Sequence, residues 1–129
     1  MTVKYKIVKQ AEPGIKGGGE YKYYLRSARR EKLNITDIAK LLEKRSSISR
    51  TDIVAVLTGL TDLIPDLLLD NKSVKLGELG IFSLDIKSEA STALKEATWR
   101  KIKKLRINFR VGKTLQKAIQ GASFERVDV

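Results

Sequence analysis

Apolar residues recur along this chain with two periods, and each change of period marks a new element. Val3, Tyr5 and Ile7 alternate with Lys4 and Lys6, and Tyr21, Tyr23 and Leu25 alternate with Lys22, Tyr24 and Arg26. Side chains of a strand point alternately to its two faces, so period-2 alternation predicts two half-buried strands. Between them, Glu12-Pro13-Gly14 and Gly17-Gly18-Gly19 are turn and loop chemistry. Residues 2–28 are therefore expected to form a β-hairpin with a long, mobile loop, followed by a linker at Arg29-Arg30-Glu31-Lys32.

The period then lengthens. Ile35, Ile38, Leu41 and Leu42 fall at helical spacing behind Asn34, a good N-cap, with Asp37 placed to complement the helix dipole. This predicts a helix to about Arg45. Ser49, with Asp52 three residues on, starts a second and longer one. Its apolar residues, Ile53, Val54, Val56, Leu57, Leu60, Leu63, Ile64, Leu67 and Leu68, cover more than one face. Such a helix is expected to be buried on two sides, as at a dimer core. Pro65 within it should bend it and free the Thr61 carbonyl, and Asp70-Asn71 should end it.

Alternation returns with Val74 and Leu76, a turn at Gly77-Glu78-Leu79-Gly80, and then Phe82, Leu84 and Ile86 against Ser83, Asp85 and Lys87. After a weakly patterned stretch, Leu105, Ile107 and Phe109 alternate with Lys104, Arg106, Asn108 and Arg110. Ile102 is out of phase with this set, which suggests a bulge or the root of a projecting ribbon. Gly112-Lys113 opens a short helix to about Ile119, and the tail from Gly121 has no strong pattern. The order is β-hairpin, two helices, three strands and a helix, an α+β architecture. The expected divisions are an extension and linker at 1–33, a principal domain at 34–120 and a tail at 121–129.

Composition narrows the chemistry. The 129 residues suit one domain with a small appendage, 42% of them are hydrophobic, and so small a domain would gain from a dimer interface. Cysteine and histidine are absent. Disulfides, Cys or His metal sites, thiol nucleophiles and the usual near-neutral general base are thereby excluded. Enzymatic activity, a cofactor and a small-molecule substrate are not expected. There is no signal-peptide pattern at the start and no apolar run of transmembrane length, so the expected location is cytoplasmic, without a membrane partner.

The net charge is +11, and it is unevenly distributed. Residues 1–33 carry nine Lys/Arg against three Asp/Glu, residues 34–72 five against six, and residues 73–129 twelve against six. From Arg100 to Lys117 eight basic residues occur without an acidic one. Charge that serves only solubility is interspersed with acid, whereas a segregated basic stripe is the footprint of a polyanion binder.

Several local patterns carry less. Gly112-Lys113-Thr114 looks like the end of a phosphate-binding Walker A loop, but Ile107 stands where its first glycine belongs. A helix start beside a lysine still seats an anion, such as a backbone phosphate. The glycines at 14 and 17–19 precede no helix and read as a flexible loop. Asn34-Ile35-Thr36 matches a glycosylation sequon but sits at a helix cap. Asp62, Asp66 and Asp70 read as a solvated face in preference to a cation site. The tyrosines at 5, 21, 23 and 24 could stack on unpaired bases, although packing of the hairpin is the expected role for all but Tyr24.

Asn34-Ile-Thr-Asp37 and Ser49-Arg-Thr-Asp52, each opening a helix, resemble the helical hairpin of the bacterial histone-like HU/IHF family. Leu76-Gly-Glu-Leu-Gly80-Ile-Phe82 is similar to its strand-turn-strand around Gly-x-Phe. Ile107-Asn-Phe109-Arg-Val-Gly112-Lys113-Thr-Leu115 resembles its Phe-x-x-Gly-Lys-x-Leu signature. Phe82 to Phe109 has about the length of the family's two-stranded arm. The resemblance covers residues 34–120.

It implies an intertwined homodimer with a helical base, a three-stranded antiparallel sheet, extended β-ribbon arms that embrace the minor groove, and a short C-terminal helix, with the N-terminal β-hairpin added. By position, Lys87, Lys95, Arg100, Lys101, Lys103, Lys104 and Arg106 would lie on or near the arm. Arg110 and Lys113 match basic positions of the signature, and Lys117 lies in the last helix, where the usual basic position corresponds to Gln116. Two departures stand out. The family's arm tip carries a proline that wedges between base pairs, whereas residues 88–98 contain none, leaving Leu94 and Trp99 as apolar candidates. The first 33 residues have no counterpart in the usual members. The implied function is architectural, largely sequence-nonspecific binding of double-stranded DNA in nucleoid organisation. The alternatives are a structured-RNA binder on the same fold, or an assembly protein that has lost DNA binding.

Overall fold

The computed structural model describes residues 1–11, 14 and 19–127. In chain order they form β1 (Thr2–Ala11), β2 (Tyr21–Ser27), α1 (Ile35–Arg45), α2 (Arg50–Leu69), β3 (Val74–Lys75), β4 (Gly80–Ser88), β5 (Ile102–Val111), α3 (Lys113–Ala118) and β6 (Ser123–Arg126). The architecture is α+β, with three helices and two three-stranded sheets. Two compact units are formed, one by Met1–Lys32 with Ile119–Val129, the other by Leu33–Ala118.

In the first unit the alternating segments pair antiparallel, with Ile7 opposite Leu25 and Lys9 opposite Tyr23. Most of the expected mobile loop lies outside the described residues. The tail from Gly121, patternless in the sequence, contributes β6, which pairs parallel to β1 with Phe124 opposite Val3. Four residues are too few to show an alternation, and the ladder that holds β6 is formed with a strand more than a hundred residues away. The strand order is β2-β1-β6.

The second unit begins with a capping box. The Asp37 backbone N–H donates to Asn34 Oδ1 at 2.9 Å, and the Asn34 N–H donates to Asp37 Oδ2 at 3.1 Å. The Asp52 N–H donates to Ser49 Oγ at 3.3 Å, and the Arg50 N–H donates to the Glu43 carboxylate at 2.5 Å, which joins the end of α1 to the start of α2. α2 continues through Pro65 and ends in a Schellman motif. There Asn71 adopts φ 59°, while the Asn71 and Lys72 N–H groups donate to the carbonyls of Leu68 and Leu67.

α1 packs on α2, and α2 packs on β3 and β4. Ala39 is fully buried, Ile53 and Leu68 nearly so. Ile38, Leu41, Leu42, Val56, Leu63 and Leu69 remain exposed on the two helices. The sheet order is β3-β4-β5, all antiparallel. No described helix is long and apolar enough to cross a membrane.

Candidate functional site

The site is built on the β4–β5 ribbon. Phe82, Leu84 and Ile86 stand opposite Phe109, Ile107 and Leu105, so one face of the ribbon is apolar. The Phe82 and Phe109 rings lie 4.6 Å apart. The other face pairs Ile81 with Arg110, Ser83 with Asn108, Asp85 with Arg106 and Lys87 with Lys104. Like charges directly opposite each other weaken a sheet. Lys87 facing Lys104 is thus a local cost that an anion laid along the ribbon would remove.

The phase break at Ile102 is a β-bulge. Lys87 pairs with Lys104 but Ser88 pairs with Ile102, which leaves Lys103 as the extra residue. The bulge returns Ile102 to the phase of the apolar face despite its even number. Lys103 Nζ lies 3.1 Å from Glu89 Oε1, so its charge is partly engaged within the ribbon.

Beyond the bulge one more backbone bond, from the Glu89 N–H to the Lys101 carbonyl at 2.9 Å, closes the ladder. Residues 89–101 are not a continuation of the ribbon and include two short 3-10 turns, Leu94–Glu96 and Trp99–Lys101. The mostly small and polar residues Ser88–Thr98 lack the alternation that sustains a strand, and Thr92 and Thr98 are the only β-branched ones among them. Leu94 is 91% exposed and Trp99 75% exposed, with the Arg100 guanidinium 5.7 Å from the Trp99 ring centroid.

The ten basic residues singled out in the sequence therefore fall into groups. Lys87, Lys104, Arg106 and Arg110 share the polar face of the ribbon. Lys95, Arg100 and Lys101 lie in the tip turns, Lys103 occupies the bulge, and Lys113 and Lys117 lie on α3.

One basic residue of this face was missed. Lys75 pairs with Ile81, which pairs with Arg110, so it extends the same row across β3. Lys75, Arg110 and Lys113 also line one cavity of about 400 Å³ with Gly80 and Gly112. The position of Lys75 between the apolar Val74 and Leu76 was the available signal.

The cavity is shaped by two glycines at which a side chain has no room. Gly80 has φ 153°, and a Cβ there would lie 2.5 Å from the Arg110 carbonyl oxygen. A Cβ on Gly112 would collide with the Glu78 carbonyl. The Gly112 N–H donates to the Leu79 carbonyl at 3.0 Å, and the Thr114 hydroxyl donates to the Glu78 carboxylate. These bonds tie the start of α3 to the β3–β4 turn, holding Lys113 close to Arg110 at the end of β5.

Comparison with known proteins bears on the fold and the family. The family model described as HU-HIG, an HU domain fused to wHTH, Ig or glycine-rich motif, matches residues 1–126. A crystal structure of a candidate bacterial DNA-binding protein from Bacteroides vulgatus superposes with a TM-score of 0.62 at 12% identity. That alignment covers 98% of this chain and 49% of the other, so this chain spans about half its length. Anabaena HU, in a cocrystal with DNA, superposes with a TM-score of 0.53 at 16% identity over 69% of this chain and 99% of that one. No curated protein matches the sequence.

Proposed function

The chain belongs to the HU-HIG family, and we propose that it binds double-stranded DNA as a homodimer, in an architectural and largely sequence-nonspecific way suited to organising a nucleoid. The observation that carries this reading is the polar face of the β4–β5 ribbon, where Lys87, Lys104, Arg106 and Arg110 form a basic row that Lys75 extends. Such a row neutralises phosphates and releases condensed counterions, a contribution that does not depend on base sequence. Residues 34–120 are the DNA-binding domain in this reading. Lys113 and Lys117 add charge on α3, and Lys95, Arg100, Lys101 and Lys103 add it at the tip and bulge. The Anabaena protein, similar in fold over two-thirds of this chain, is seen with DNA.

The test is duplex binding as a function of salt. With roughly six to eight phosphates neutralised per dimer, log affinity against log salt should fall with a slope of about −5 to −7. A slope near −1, or preference for structured RNA over duplex DNA in direct competition, would overturn the reading. Absence of retention in low-salt filter binding would instead point to an assembly protein.

A further inference from the structure

The first unit holds a surface that is no part of the site proposed on the ribbon. Its β2-β1-β6 sheet contains no helix among the described residues, so no helical layer of its own covers either face. The ladder registers place Val3, Tyr5, Ile7 and Lys9 of β1 on one face with Tyr21, Tyr23 and Leu25 of β2 and Phe124 and Arg126 of β6. An apolar face of this kind is ordinarily a buried one. Here Tyr21 is 61% exposed, Tyr23 69% and Phe124 69%, and Val3, Ile7 and Leu25 are exposed with them.

The pattern is more specific than a greasy patch. Tyr21 and Tyr23 are two residues apart on one strand and so project from the same face about 6.8 Å apart. That is twice the roughly 3.4 Å rise between nucleotides of a stacked strand, leaving room for a flat base between the rings. Lys9 is the cross-strand partner of Tyr23, and its ammonium lies 5.1 Å from the Tyr21 ring centroid. The cation thus lies over one face of the Tyr21 ring, close enough to swing to the backbone of a strand whose bases take its place on the rings. Phe124 extends the aromatic surface at the far end of the face, roughly 20 Å along β1.

Charge decides between occupants. Residues 1–33 hold nine Lys/Arg against three Asp/Glu. Two copies of this sheet brought face to face would join two surfaces of the same positive sign, whereas a nucleic acid strand complements that sign. Aromatic rings with adjacent cations on an open sheet are the chemistry that holds unpaired bases. We infer that this face of the β2-β1-β6 sheet is a second nucleic-acid site, one that binds a single strand by stacking its bases on Tyr21 and Tyr23 with Lys9 at the backbone.

The experiment measures anisotropy of dye-labelled deoxythymidine and uridine oligomers, and of a duplex, on the full chain. The variant Tyr21→Leu/Tyr23→Leu keeps apolar bulk but removes the rings. It should weaken single-strand binding about tenfold or more while leaving duplex affinity within about twofold. Tyr21→Phe/Tyr23→Phe should bind as the wild type does, and Lys9→Gln should weaken single-strand binding alone. The arm that loses more, deoxythymidine or uridine, identifies the natural strand as DNA or RNA. Unchanged single-strand binding by the leucine variant would overturn the inference. So would a fall in oligomeric state on sedimentation, which would make the face a contact between copies. If the leucine variant does not fold, the phenylalanine and Lys9 variants decide.

Discussion

At Gly80 and Gly112 the fold depends on the absence of an atom. A methyl group at either position meets backbone, which has no rotamer to move into, and at Gly80 the φ of 153° adds strain for any L side chain. Gly80→Ala and Gly112→Ala should each lower stability by about 2–3 kcal/mol, read as a reduced urea midpoint. The same scale shows what the sequence can and cannot disclose. The caps at Asn34 and Ser49 were legible because cap and partner lie three residues apart. The glycines were legible only as motif letters. Their contacts join the β3–β4 turn to residues about thirty positions later, and no local pattern encodes that. Tyr21 and Tyr23 were expected to pack because alternation reports which residues share a face, whereas their exposure depends on what covers that face.

In the proposed reading, the β4–β5 ribbon is the element in which stability and binding oppose each other. Replacing Lys87 and Lys104 together by Gln removes a like-charged pair, so the free protein should gain a few tenths of a kcal/mol in thermal unfolding. The same change should make the salt slope of duplex binding shallower by about 2 to 4, since a dimer loses four cations. A variant that is less stable and equally salt-sensitive would show that these lysines do not serve the anion. The bulge was legible from the phase of Ile102; the end of the ladder at Ser88 was not, because a weak pattern does not distinguish a short strand from a turn. That end has a consequence for DNA shape. A kink needs an apolar wedge in a base step, and unstacking costs about a few kcal/mol. The tip offers Leu94 and Trp99 on short 3-10 turns, with Glu96 among them to repel phosphates. Energy transfer between dyes at the ends of a short duplex should report less bending than proline-tipped relatives produce. A large bend abolished by Leu94→Ala would instead assign the wedge to that leucine.

The whole chain carries far more surface than a finished monomer. Two folded units of the sizes found here would together expose about 8,000 Å², whereas this chain exposes 11617 Å². The excess is larger than the roughly 1,000–2,500 Å² that each partner of an obligate dimer covers, so dimerisation and a further bound surface both have apolar area to bury. Among the described residues only Ala28, Ala39, Ile53 and Leu68 are buried apolar side chains. The helical base contributes heavily to what is left open, since Leu60 and Ile64 of α2 are only half-buried and Val56 and Leu63 are exposed. An isolated monomer of this kind would leave most of its apolar side chains in water, and the hydrophobic term that offsets chain entropy would be largely missing. Folding and association are therefore expected to be one event, centred on α2. Sedimentation equilibrium should find a dimer at micromolar concentration, with an unfolding midpoint that rises with protein concentration. Leu60→Asp or Ile64→Asp would place an unpaired carboxylate in that interface and should abolish folding altogether, leaving no soluble folded monomer behind. A stable, folded wild-type monomer would mean that some other contact covers the helices, and the intertwined dimer would have to be abandoned.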